Sequence, residues 1–337
     1  MGGIGSAMTP KREFDEDDVR IRPSRSGSRP RSKSRPTHDT AIAARVTTVD
    51  RGRLTCASEE SGDEFFAIKA RELGRKGIVV GDLVDVVGDT SGDAGSLARV
   101  VRRGERTTVL HRTADDTDPT ERVIVANADT LVIVTALANP TPRLGLVNRF
   151  LVAAYSAGMT PLIVATKSDL ASADELHAAY DPLGVEIWVT AKGGDVEALK
   201  QRLLGHTAVL VGHSGVGKST LINALVPHSD RRVGDVNVVT GRGRHTSTNA
   251  EALRFGDGWL IDTPGIRSFG LAHVQPSQVI DSFDFLAQAT HDCPRGCTHD
   301  EDECALNAYV QEGHAGAHGI ALLESVRQLM RSMSSAD

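Results

Sequence analysis

Aromatic side chains are scarce, at 4% of the 337 residues. A surface that stacks bare bases one after another needs several such rings, so general single-strand binding is not the expected main activity. No apolar run approaches the ~20 residues that a membrane span requires. No secretory apolar core follows the start, so a cytoplasmic protein without a membrane partner is expected. Met1–Ser6 fits a short myristoylation pattern, but a flexible leader with Met8 as another start is the plainer reading. Cysteine is also rare, with four in the chain and three of them clustered, which argues against a disulfide framework. Acidic residues are missing from Val19 to His38, a stretch that holds Arg20, Arg22, Arg25, Arg29, Arg31, Lys33 and Arg35. The whole chain has a net charge of −6, so removing this segment's +7 leaves −13 elsewhere. An Arg/Ser/Pro-rich segment with almost no large apolar side chains cannot offset its ordering entropy, and residues 1–40 read as a disordered tail. It is either a solvated leader or a loose arm on nucleic-acid phosphate.

Hydrophobic residues make up 40% and charged residues 24%, enough for a buried core in two or three domains. Residues 41–112 carry short apolar segments, Ile42–Val46, Phe65–Ile68, Ile78–Val87 and Leu97–Val101, parted by turn residues such as Ser61-Gly62-Asp63. About five short strands in that length predict a small OB-type β-barrel. The polar stretch Thr113–Pro119 reads as a linker into a domain spanning 113–272. There, strands at Val123–Val125, Leu131–Thr135, Leu162–Thr166, Glu186–Val189, Ala208–Val211 and Trp259–Ile261 are expected. Helices at about Leu144–Gly158, Ala173–Tyr180 and Lys218–Leu225 alternate with them. Such alternation predicts an α/β domain with a mostly parallel sheet. Residues 273–337 read as helical, with an amphipathic stretch at Leu322, Leu323, Val326, Leu329, Met330 and Met333.

Gly212-His213-Ser214-Gly215-Val216-Gly217-Lys218-Ser219 follows the apolar Ala208–Val211 and opens a helix. This is G-x-x-x-x-G-K-[ST] in its strand–loop–helix context, a P-loop. Backbone N–H groups of Gly212 and of Ser214 to Gly217, with Thr220 beside them, would close on phosphates at a helix N-terminus. Lys218 would reach the β- and γ-phosphates, and the Ser219 hydroxyl would bind Mg²⁺. Trp259-Leu260-Ile261-Asp262-Thr263-Pro264-Gly265 places Asp262 at a strand end, where it suits magnesium, and Gly265 N–H would sense the γ-phosphate. Thr166-Lys167-Ser168-Asp169 ends another strand as T-K-x-D. Its carboxylate would accept from guanine N1–H and the 2-amino group, and adenine has neither donor. With the P-loop this selects GTP/GDP over adenine nucleotides. Ala191, in Val189-Thr190-Ala191-Lys192, would offer N–H to guanine O6.

The order is informative. Asp169 and Ala191 precede the P-loop and Asp262 follows it, so the usual P-loop, γ-sensor, base-reader sequence is circularly permuted. Loops at a surface tolerate such cuts. Between P-loop and Asp262, Gly241–Thr248 reads as a switch, with Thr246 as its magnesium threonine. Ile266 stands where many GTPases carry a water-orienting glutamine. Isoleucine cannot orient water, so His245 becomes the catalytic candidate alongside Lys218 and Thr246, and slow intrinsic turnover is expected. Cys293, Cys297, His299 and Cys304 fall within twelve residues and predict a Cys₃His zinc site, with His291 as a possible substitute ligand. Cys56 reads as core.

Taken together, residues 41–310 resemble the RsgA (YjeQ) family of permuted GTPases. The likeness rests on the barrel, Val125-Ala126-Asn127-Ala128-Asp129, Thr166–Asp169, the P-loop, Arg244–Thr248, Asp262–Gly265 and the cysteine cluster. It implies a fold of OB-type barrel, permuted P-loop GTPase domain and helical zinc-binding domain. It also implies GTP hydrolysis stimulated by the small ribosomal subunit, a role in that subunit's late maturation, contact with its rRNA, and catalysis by His245. A monomer is expected. The spacing C-x₃-C-x-H-x₄-C departs from the family's C-x₄-C-x-H-x₅-C by one residue at two places. The rival readings are an RNA-binding assembly module that merely holds guanine nucleotide, and a metabolic P-loop kinase, which T-K-x-D and the barrel disfavour.

Overall fold

The structure, a computed structural model, describes residues 38–74, 77–115, 118–226, 250–263, 271, 274–316 and 319–334. The Arg-rich tail lies outside the described residues, as do His245, Thr246, Gly265 and Ile266. Five strands open the fold: β1 (Ile42–Asp50), β2 (Arg53–Ser58), β3 (Glu64–Lys69), β4 (Leu83–Gly88) and β5 (Ala98–Arg103). They pair in the order β1-β2-β3-β5-β4, and β4 closes back on β1. This is the closed five-stranded barrel that the sequence predicts. Every second residue points inward, as the two-residue period of a strand requires. Ala44, Val46, Leu54, Cys56, Phe65, Ala67, Val84, Val86, Ala98 and Val100 fill the interior. Strand β2 is absent from the sequence reading, since Arg53-Leu-Thr-Cys-Ala-Ser lacks an apolar run. Its signal is the two-residue turn Arg51-Gly52, both at positive φ, the geometry that closes a tight hairpin.

Thr113–Pro119 is not a linker. Strands β6 (Val109–Asp115) and β7 (Asp118–Ala126) form an antiparallel hairpin through it. Val123–Val125 therefore belongs to that hairpin and not to the parallel sheet. Polar composition misled because the hairpin's tip carries few apolar residues. The hairpin is stitched to the barrel around Asp82. That carboxylate is fully buried and takes a two-pronged ion pair from Arg106, at 2.7 and 2.8 Å, and the Val79 N–H at 2.8 Å. A buried carboxylate is tolerable only when paired and hydrogen-bonded in this way. Next to it Gly81 approaches the hairpin so closely that a Cβ would stand 2.0 Å from the Ala126 carbonyl oxygen.

The α/β part follows as β8 (Thr130–Ala136), α1 (Leu144–Ser156), β9 (Thr160–Thr166), α2 (Asp174–Tyr180), β10 (Glu186–Val189), α3 (Glu197–Leu203), β11 (Thr207–Val211), α4 (Lys218–Leu225), β12 (Glu251–Phe255) and β13 (Gly258–Asp262). Its strands lie in the order β10-β9-β8-β11-β13-β12, parallel except for β12, which runs antiparallel to β13. All seven residues of β8 and all five of β11 are buried, as expected of strands covered on both faces. The P-loop strand β11 is thus central, flanked by β8 and β13.

Helices α5 (Pro276–Ile280), α6 (Asp284–Ala289), α7 (Ala305–Gln311) and α8 (Gly319–Ser334) complete the fold. Leu322, Leu323, Val326, Leu329 and Met330 line the buried stripe of α8, which packs on α1 and α7. Their spacing is that of an amphipathic helix. Tyr155 of α1 meets Phe283 with ring centroids 5.2 Å apart.

Candidate functional site

The loop Gly212–Gly217 leaves the C-terminal end of β11 and delivers Lys218 as the first residue of α4. Gly212 is required there, since a Cβ would sit 2.4 Å from the Val134 carbonyl oxygen on the neighbouring strand. Gly217 caps α4 at φ 94°. Lys218 Nζ donates to Asp262 Oδ1 at 2.6 Å and to the Thr263 carbonyl oxygen at 2.8 Å. Both side chains are largely buried, 12% and 26% exposed, so each offsets the other's loss of hydration. Thr263 is itself anchored, its hydroxyl donating to the Leu210 carbonyl oxygen at 2.6 Å. Ser219 and Thr220 lie exposed in the first turn of α4.

The segment Thr166–Asp169 leaves β9 on the same side of the sheet. Thr166 Oγ1 donates to the P-loop carbonyl of Val216 at 2.5 Å. Lys167 adopts φ 60°, a conformation that non-glycine residues rarely hold. From it Nζ donates to the Gly215 carbonyl oxygen at 2.9 Å and to that of Asn139. Thr166 and Lys167 therefore splint the P-loop from below and beside, and the Asp169 carboxylate stays exposed. Ser168 N–H donates to the Thr190 carbonyl oxygen at 3.2 Å, which brings the loop containing Ala191 next to Thr166–Asp169. The Thr166–Asp169 segment and the P-loop are thus adjacent, though 43 positions separate Asp169 from Gly212 in the chain.

The sequence reading missed Asn139 and Thr263 as partners of the two lysines. The dipeptide Asn139-Pro140, a turn signal at the end of β8, was the available clue to the first. The donor set fits a magnesium-bound guanine nucleotide. It offers backbone donors at the N-terminus of α4, a lysine and a carboxylate at the phosphate end, and an exposed carboxylate at the base end.

Cys293, Cys297, His299 and Cys304 converge, with their ligand atoms all within 4.8 Å of one another. Cys293 Sγ is 3.8 Å from Cys304 Sγ and 3.5 Å from His299 Nδ1, and Cys304 Sγ is 3.8 Å from that nitrogen. Tetrahedral zinc with its usual bond lengths has ligand–ligand edges of roughly 3.6–3.8 Å, so Cys293, His299 and Cys304 stand at zinc spacing despite the shortened sequence spacing, with Cys297 Sγ within 4.8 Å of them. His291 is not part of the cluster. Burial holds the Cys304 and Cys297 thiols above their ordinary range and His299 below its own, so the imidazole is available as a neutral ligand. Helix α8 secures the loop. Arg327 donates to the His299 carbonyl oxygen at 2.7 Å and to Asn307 Oδ1 at 2.8 Å, and Arg331 grips Asp300 at 2.6 and 2.9 Å. The sequence reading missed both arginines, although they sit four apart on one helix face.

The family model described as RsgA GTPase matches residues 103–272, half of the chain. The chain belongs to the RsgA GTPase family. It is 42% identical over 228 residues to the small ribosomal subunit biogenesis GTPase RsgA of Ectopseudomonas mendocina, an alignment covering 64% of each chain. Identity to the protein of the same description from Pseudomonas aeruginosa is 42% over 225 residues, covering 64% of this chain and 65% of the relative. The chain therefore spans about 64% of the length of these relatives. Among solved structures, YjeQ from Thermotoga maritima superposes with a TM-score of 0.61 at 25% identity, covering 88% of this chain and all of the other. YloQ, described as a circularly permuted GTPase, superposes with a TM-score of 0.60 at 21% identity, over 87% and 98% of the two chains. That likeness bears out the barrel and the permuted nucleotide-binding fold.

Proposed function

We propose that the chain hydrolyses GTP, that the small ribosomal subunit accelerates the reaction, and that the cycle times release of the chain from maturing subunits. One observation carries this reading: Lys218, Asp262, Thr166 and Lys167 meet at one P-loop from the ends of three separate strands, with Asp169 exposed two residues beyond Lys167. The relatives' description as small ribosomal subunit biogenesis GTPases supports the partner. When bound, Mg²⁺ supplies charge neutralisation at the phosphates. With nucleotide bound, Lys218 would turn from Asp262 to the β- and γ-oxygens, and Ser219, Thr246 and Asp262 would hold the metal. The N–H groups of Gly212 and of Ser214 to Gly217, with Thr220, cradle the phosphates, and Gly265 N–H meets the γ-phosphate. Asp169 and Ala191 read guanine, with Thr166 and Lys167 holding them against the P-loop. His245 orients the attacking water in place of a glutamine. One structural zinc at Cys293, Cys297, His299 and Cys304 secures the helical part.

We assign residues 41–112 to the barrel, 113–272 to the GTPase domain and 273–337 to the zinc-binding domain, with the β6–β7 hairpin straddling the first boundary and 1–40 as an arm toward rRNA. An open groove of about 440 Å³ on the barrel supports an rRNA contact. Arg51, Arg53, Ile68 and Leu97 line it, along with Ser96, whose buried hydroxyl has no hydrogen-bond partner among the described residues. Two guanidinium groups beside apolar floor residues suit phosphate and base edges. We place the chain in the cytoplasm as a monomer; no described helix is long and apolar enough to cross a membrane.

The test is GTP turnover by the purified chain alone, with small subunits, and with large subunits as control. Stimulation by small subunits only is expected. Bound GTP without stimulation would favour the rival reading of an RNA-binding module that merely holds nucleotide.

A further inference from the structure

The barrel and the nucleotide-binding sheet are one continuous sheet, joined among the described residues at a single residue pair. Strand β1 bulges between Val46 and Thr48, and a bulge bends its strand. Beyond the bend, Thr48 pairs with Glu251, the first residue of β12. Glu251 pairs on its other side with Asp262, and Asp262 with Leu210 of the P-loop strand. In the opposite direction Thr48 pairs with Thr55, and Thr55 with Phe66. One cross-strand row thus runs Leu210, Asp262, Glu251, Thr48, Thr55, Phe66, about 24 Å at the usual strand spacing. Its barrel end is a surface feature: Phe66 is 38% exposed and carries the Arg53 guanidinium 3.8 Å from its ring centre. The joint is reinforced by a Thr48 to Thr55 hydroxyl bond of 2.8 Å.

We propose that Thr48 and Glu251 are positioning residues through which a partner seated on the Arg53/Phe66 face of the barrel sets the placement of Asp262. This rests on the reading of the chain as a subunit-stimulated GTPase and adds the route of stimulation. Backbone hydrogen bonds along a sheet resist shear and stretch, so a load on β2 and β3 reaches β13 without any side chain having to change rotamer. Linkage makes the effect reciprocal. Occupancy of Asp262 by magnesium and nucleotide must alter the barrel face by the same coupling free energy.

Two measurements on the full chain test this. The first is Glu251→Pro, which removes the N–H that Glu251 turns toward Asp262 in the row, at the first position of a strand, where proline is tolerated. Basal turnover and small-subunit binding should persist, while the ratio of stimulated to basal turnover falls by about fivefold or more, the scale of an allosteric coupling. An unchanged ratio overturns the proposal. The second needs no variant: amide hydrogen exchange across β1 and β2, with and without magnesium and a non-hydrolysable GTP analogue. Slower exchange on binding is expected there. Protection confined to the P-loop overturns the coupling, even if Glu251→Pro fails to fold. A parent chain that binds nucleotide but is not stimulated by small subunits would instead overturn the functional reading beneath it.

Discussion

Lys218 and Asp262 hold each other at 2.6 Å across the end of the P-loop, so the two charges that a magnesium-bound nucleotide would need are already apposed and mutually neutralised. Binding must part them. Lys218→Ala should therefore cost twice, leaving Asp262 half-buried without its counter-charge and the phosphates without their cation. Turnover is expected to fall by ~100-fold or more, the scale of losing one preorganised charge-stabilising donor, as read by phosphate release.

Asp169 stands free of the splint that Thr166 and Lys167 make with the P-loop. Asp169→Asn should accordingly leave the loop intact and weaken GDP binding by roughly ten- to hundredfold, the worth of hydrogen bonds to a charged group. The amide can instead donate to the carbonyl at C2 of xanthine. Titration with both nucleotides should show preference moving toward xanthosine diphosphate, and unchanged GDP affinity would remove Asp169 from the base site.

His245→Ala is expected to spare nucleotide affinity and abolish stimulated hydrolysis. Stimulated turnover equal to that of the parent would place the water-orienting role elsewhere.

Metal analysis of the purified chain should return one zinc, and Cys304→Ser should lose it. Arg327→Ala touches no ligand atom but removes the guanidinium that fixes the His299 carbonyl, so zinc affinity should drop by ~10- to 100-fold, the usual cost of losing a supporting contact. Competition with a chromophoric chelator measures both.

Cys56 gives a pH dependence of calculable sign. Burial alone pushes this thiol up to about 12 from 9.0. The unfolded thiol ionises near 9 while the folded one keeps its proton, so its contribution is fully present below that pH. Stability is lost as pH rises toward 12, at roughly 1.4 kcal/mol per pH unit. Cys56→Ala should flatten the decline in melting temperature above pH 9. Thiol-reactive dyes should also label Cys56 far more slowly than the same thiol in the denatured chain.

What could be read from the sequence was whatever is specified locally. The P-loop, Thr166–Asp169 and Asp262 are short motifs at strand ends, and the barrel interior follows a two-residue period. The cysteine cluster needs only twelve residues to be recognisable. Features set by distant partners were not legible. Strand β12 is only five residues long, with Glu251 and Arg254 among its apolar residues, and its place is set by pairing with β13 and β1. The hairpin of β6 and β7 was hidden by its polar tip. The pairing of Asp82 with Arg106 spans 24 residues, and nothing in either neighbourhood announces it. Lys167 was found by motif, but its grip on Asn139 needed the register of two strands.

The docking of α8 on α1 has a consequence for the order of synthesis. Arg149 of α1 donates to the carbonyl of Ser332, 183 residues downstream. A nascent chain that has already emerged through the P-loop still lacks the cover for the outer face of α1. That face must wait, apolar and unprotected, until α8 clears the tunnel. Chains that stall late in translation should therefore be the aggregation-prone ones.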